Sequence, residues 1–123
     1  MWSSGCIFAQ LIFNIRHLFP NKDNEGSLVS ISEVLGFEEI DAYRKKYNGT
    51  LNPETEELMK QNKRKPWSDF VTNGNKHLVS DEALDLLNRM MVVDHADRIT
   101  AREALDHPYF DLVKENPMEG FVL

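Results

Sequence analysis

DLLNRMMVVDHADRITAREALDHPYF, residues 85–110, reads as two helices and the loop that joins them. Ser80, just upstream, is an N-cap residue, and Asp81 and Glu82 suit the positive end of the helix that follows. Ala83, Leu84, Leu87, Met90 and Met91 then form its expected buried stripe. Thr100 caps a second helix, and Glu103 three residues on completes a capping box. That helix is expected to stop at His107-Pro108, because the residue before a proline is pushed out of the α region. Tyr109 and Phe110 follow as an aromatic plug. Arg98 lies in the intervening loop, beside Ile99 and near Val92 and Val93. A half-buried guanidinium there needs a carboxylate or a carbonyl as its partner.

Outward from this stretch, apolar periodicity gives helices and little else. Residues 2–15 are apolar around nearly the whole helical circumference, with Trp2, Ile7, Phe8, Leu11, Ile12, Phe13 and Ile15. Such a helix is built to be buried on all sides, which is unexpected at a chain terminus. Pro20 and Asn21-Lys22-Asp23-Asn24 read as a loop, with Asp23 or Asn24 able to cap the next helix. Leu28, Ile31, Val34 and Leu35 fall at helical spacing, and Gly36 suits the stop. A short helix is expected from Glu38 to about Tyr47, ended by Asn48-Gly49, and another from Asn52-Pro53 through Met59. NKRKPWSDF (62–70) reads as a loop running into one helical turn. The fold class is all-α.

Composition narrows the function classes. The chain has 123 residues, enough for one domain that buries somewhat under ~70% of its unfolded surface. It is 41% hydrophobic and 28% charged, as soluble globular proteins are. A net charge of −6 argues against nucleic-acid binding, including a helix-turn-helix use of residues 80–107. Cys6 is the only cysteine, so no disulfide framework or cysteine-based zinc site is expected, and Cys6 reads as a small core residue in a reducing compartment. The apolar run of residues 5–15 is too short for a membrane span and lacks the flanks of a signal peptide. The expected setting is the cytoplasm or the nucleus.

No active site is legible in these residues. His95-Ala96-Asp97 looks like a kinase catalytic loop, but the metal-binding asparagine expected five positions past the aspartate is Arg102 here. The histidines at 17, 77, 95 and 107 show no i, i+4 pairing for a metal. The glycines form no phosphate-cradling pattern. Glu38-Glu39 and Glu56-Glu57 read as solvated helix charge. Asn48-Gly49-Thr50 matches a glycosylation sequon, but it more simply marks a turn. Lys63, Arg64 and Lys65 could serve as a docking patch or a weak nuclear signal, against the simpler reading of a solvated loop.

MWSSGCIFAQLIF (1–13) resembles the central helix of the protein-kinase C-terminal lobe, whose opening is typically Asp-x-Trp-Ser-x-Gly-Cys. The closing stretch, 85–110, is similar to the last two helices of that lobe, with their Arg-(Ile/Leu)-Thr-Ala and His-Pro-(Tyr/Phe)-Phe signatures. Between them SLVSISEVLG, DAYRKKYN and HLVSDEALDLL resemble the casein kinase 2 catalytic (alpha) subunit. The resemblance covers residues 1–115 as a partial kinase domain, with 116–123 as a C-terminal tail. Pro66 and the IRHLFPNK loop depart from the casein kinase 2 pattern.

The resemblance implies a great deal about what lies elsewhere. The family's glycine-rich loop, ATP-anchoring lysine, catalytic aspartate and metal-binding Asp-Phe-Gly all precede the central helix. ATP and magnesium are therefore implied for an intact parent, with no cofactor in this chain. In the family, the arginine matching Arg98 pairs with the glutamate of an upstream Ala-Pro-Glu motif, Gly-Pro-Glu in the expected branch, and the tryptophan matching Trp2 packs beside them. Ile7 and Leu11 match positions that anchor the apolar spine beneath the adenine pocket. The expected function is that of a piece of a serine/threonine kinase, inactive alone, whose partner is the upstream kinase half. The alternative is a non-catalytic interaction module that docks proteins through the first helix or through residues 25–70.

Overall fold

The computed structural model describes residues 1–20, 23–111 and 114. The expected tail, 116–123, lies outside the described residues, as do Asn21 and Lys22 of the expected loop. Among the described residues the chain is helical, without strands. Six α-helices follow in order: α1 Trp2–Phe13, α2 Asn24–Leu35, α3 Phe37–Lys46, α4 Pro53–Met59, α5 Asp81–Met90 and α6 Ala101–Leu105. Short 3-10 turns stand at Trp67–Phe70, Lys76–Leu78 and Pro108–Phe110. No helix among the described residues is long and apolar enough to cross a membrane.

The caps form where the side chains dictate. Asp23 accepts from the Gly26 amide at 2.5 Å, Asn52 from Glu54 at 2.9 Å, and Ser80 from Ala83 at 3.0 Å. Thr100 and Glu103 exchange both bonds of a capping box, at 3.0 and 3.2 Å. Gly36 ends α2 at φ 85°, and a Cβ there would sit 2.7 Å from the Arg64 nitrogen. Both the dihedral and the close approach of residues 63–64 require glycine at that position. Residues 62–65 are tied down on both sides, since the Phe37 amide donates to the Asn62 carbonyl and the Lys65 amide to that of Val34.

α1 packs across α5, and the two approach closely because residue 5 is glycine. A Cβ on Gly5 would stand 2.5 Å from the Met91 sulfur. The main core gathers Ala9, Ile12 and Phe13 of α1 with Leu35, Trp67, Ala83, Leu87 and Met91. Phe13 stacks on Phe70 at 5.3 Å and on Trp67 at 6.3 Å between ring centroids. A fully buried side chain of this size contributes about 1.5–3 kcal/mol. Cys6 is only half-buried at the edge of this core, and burial raises its thiol pKa, which leaves it less of the reactive thiolate.

Two features of α5 and α6 differ from the sequence reading. Leu86, outside the expected stripe, is almost fully buried, whereas Leu84 is only partly so. The reason is that α5 buries two faces. Ala83 and Leu87 meet the main core, while Leu86 and Met90 meet Ala104 and the Tyr109–Phe110 turn. α6 also stops at Leu105 rather than reaching His107. His107 instead caps the next turn, its Nδ1 accepting from the Tyr109 amide at 3.1 Å.

Candidate functional site

Arg98 is half-buried, and its partners are backbone carbonyls. Nε donates to the Val92 carbonyl at 2.9 Å and one terminal nitrogen donates to that of Val93 at 3.1 Å. Its guanidinium carbon lies 5.0 Å from the Trp2 ring centroid, in cation–π range. Trp2 in turn stacks on Phe19 at 6.0 Å and 13°. Among the described residues no carboxylate forms an ion pair with Arg98. The α1 start and the α5–α6 loop are thus joined through one cation, whose second terminal nitrogen has no hydrogen-bond partner among the described residues.

Asp94, four residues away and chemically suited to Arg98, is occupied elsewhere. It accepts from the Lys46 ammonium at 2.6 Å, the Tyr47 hydroxyl at 2.7 Å and the Ala96 amide at 3.0 Å. These three groups hold its carboxyl well below the usual carboxylate range, Lys46 first. His95 extends the tie, with Nδ1 3.0 Å from the Tyr43 hydroxyl and its ring 4.9 Å from that of Tyr47. The end of α3 is therefore fastened to the α5–α6 loop by polar and aromatic contacts.

Where α1 meets α5 and α6 runs an apolar groove lined by Met1, Ile7, Phe8, Leu11, Leu86 and Leu105 with their neighbours. Ile7, Leu11 and Leu105 are 58%, 67% and 60% exposed, values that mark an open apolar face rather than a packed one. α1 is thus buried where it meets α5 and the Trp67–Phe70 turn, while Ile7 and Leu11 stay open, so it is not buried on all sides.

The basic stretch divides. Arg64 is committed, one terminal nitrogen donating to both Glu39 oxygens at 2.9 and 3.0 Å and the other to Asn88 Oδ1 at 2.8 Å. Glu39 is correspondingly an ion-pair partner rather than idle helix charge, as is Glu57 with Lys60. Lys63 and Lys65 are exposed. Among the described residues no three histidine, cysteine or carboxylate side chains are grouped to hold a metal ion.

A family model for the protein kinase domain matches residues 1–110. The chain belongs to the protein kinase family. Within the match, Trp2 and Arg98 meet across 96 positions of sequence, and Ile7 and Leu11 share one open groove. Arg102 stands where the metal-binding asparagine would follow Asp97, and no glycine-rich phosphate loop occurs in the sequence.

Three contacts escaped the sequence reading. Buried Asn75 donates to the Phe13 carbonyl at 2.8 Å and the Phe70 carbonyl at 3.0 Å, and accepts from Thr72 at 2.8 Å. His107 lies 2.6 Å from Asp85. The Lys46–Asp94–Tyr47 tie joins residues nearly fifty positions apart. No local pattern announces any of these, although the charge of Lys46 and Asp94 was visible.

Proposed function

We propose that these residues are the second half of the large lobe of a serine/threonine kinase of the casein kinase 2 alpha type. In this reading they support the catalytic half and do not themselves take up ATP. The observation that carries it is Arg98, a half-buried cation held by two carbonyls and an indole, with no carboxylate partner among the described residues. The carbonyls and the indole leave its charge without a counter-charge, and taking an unpaired charge out of water is costly. The open Ile7–Leu11 groove supports the same reading, because it offers apolar surface to a further segment. The branch assignment rests on SLVSISEVLG, DAYRKKYN and HLVSDEALDLL.

The test is thermal unfolding of the chain with and without magnesium-ATP. A ligand at one hundred times its dissociation constant adds about 2.7 kcal/mol, a shift of several degrees for a domain of this size. No shift is expected, and a clear one would contradict the proposal. Reading the transcript upstream of Met1 supplies the second half of the test: an in-frame segment with the catalytic aspartate and a Gly-Pro-Glu glutamate is expected.

A non-catalytic interaction module is the second reading, favoured by the same groove if no catalytic segment is joined to it. A stop codon directly upstream of Met1 would select it.

A further inference from the structure

α3 ends in a Schellman motif built on an asparagine. Asn48 takes the left-handed conformation at φ 56°, the Gly49 amide donates to the Arg44 carbonyl at 2.8 Å, and the Asn48 amide to that of Lys45 at 3.4 Å. Residues 47–50 are all exposed. Asn-Gly is the dipeptide in which a main-chain nitrogen most readily attacks the neighbouring side-chain amide, because glycine carries no Cβ to obstruct it.

We propose that Asn48 is a self-modifying site, and that its deamidation is gated by opening of the last turn of α3. In the reaction the Gly49 nitrogen forms a bond to Cγ of Asn48 while the Cγ–Nδ2 bond breaks. The amide proton leaves with Nδ2 as ammonia. Water then opens the five-membered imide at either carbonyl, giving aspartate or isoaspartate, with no change of oxidation state. The folded turn opposes the first step, since the Gly49 N–H is held on the Arg44 carbonyl and is not free to lose its proton. Opening the turn releases the nucleophile.

The gate is the tie already described. Lys46 and Tyr47 are the residues that bind Asp94, and they adjoin the reacting pair. Modification also hinders reclosure. A new carboxylate at residue 48 stands at the negative end of the α3 dipole, and isoaspartate inserts an extra methylene into a backbone that both Schellman bonds need in register. The product therefore favours the open state that made it, and α3 is loosened from the α5–α6 loop irreversibly.

The experiment incubates the full chain, its Lys46→Ala/Tyr47→Phe variant and a free peptide of residues 44–52 at neutral pH. Isoaspartate and the mass change at residue 48 are followed by peptide mapping. The wild-type chain is expected to convert roughly tenfold or more slowly than the peptide, as local opening equilibria allow, with the variant between them. Circular dichroism confirms that the variant remains helical. Gly49→Ala in the peptide is expected to slow conversion, which assigns the nucleophile. Conversion of the wild-type chain as fast as the peptide would overturn the gating. Absence of product from both chain and variant while the peptide converts would overturn the site.

Discussion

His107 Nε2 lies 2.6 Å from Asp85 Oδ2, while Nδ1 of the same ring accepts the Tyr109 amide. The Tyr109 N–H fixes the hydrogen of the neutral ring on Nε2, where it donates to Asp85. One buried imidazole thus joins α5 to the turn that seats Tyr109 against Phe8, ring centroids 5.1 Å apart. Both ring nitrogens are used, but Asp85 is half exposed and keeps Arg89, so an apolar replacement strands the Tyr109 amide. His107→Leu is expected to cost about 1–3 kcal/mol in urea unfolding. His107→Asn keeps an oxygen for the Tyr109 amide and should cost less; equal losses would show that the cap contributes nothing.

Asp94 gives the fold a pH dependence of definite sign. Its carboxyl is held below the usual range by Lys46, the Ala96 amide and Tyr47, in that order. A group with a depressed folded pKa stabilises above its unfolded value, about 3.9 for aspartate, and loses that contribution as pH falls toward its folded value. The difference in unfolding stability between wild type and Asp94→Ala should therefore be constant from pH 7 to pH 5. It should shrink below pH 4. A difference that grows on acidification would mean that the tie is not made by the carboxylate. Asp41 and Asp85 are depressed too, the first by Arg44 and Lys45 and the second by His107 and Arg89, but they cancel in this comparison.

The groove residues should behave as surface in this chain. Ile7→Gln with Leu11→Gln is expected to change stability by no more than about 0.5 kcal/mol per site. Leu87→Ala, from the core between α1 and α5, should cost about 2–5 kcal/mol. Sedimentation of the double variant at high concentration should show less self-association than wild type. A core-sized loss on the double substitution would mean that the groove is closed in solution.

Much of this molecule is written locally. Ser80, Thr100, Asn52 and Gly36 mark helix ends by chemistry that acts over three or four residues, and each does so in the structure. Where an element has two neighbours the local signal fails, as at Leu86, because periodicity reports one apolar stripe and α5 buries two faces. Contacts across long separations are legible only as unspent chemistry. Arg98 announced a need for a partner, and the sequence allowed either a carboxylate or a carbonyl. Asn75 announced nothing, since a buried asparagine and a loop asparagine look alike until the carbonyls of Phe13 and Phe70 converge on it. Arg64 shows the converse, a residue the sequence left between docking patch and solvated loop, whose guanidinium binds Glu39 and Asn88.

The most direct measurement is the stability lost on Arg98→Ala in two contexts, this chain and the same chain joined to the kinase half proposed to precede it. In this chain the substitution removes a cation–π contact and two hydrogen bonds to carbonyls that water can partly replace, about 1–2 kcal/mol by denaturant unfolding. In the joined chain it strands a buried glutamate, and the loss should reach about 3–5 kcal/mol. Equal losses in the two would contradict the account, because Arg98 would then have no partner left to gain.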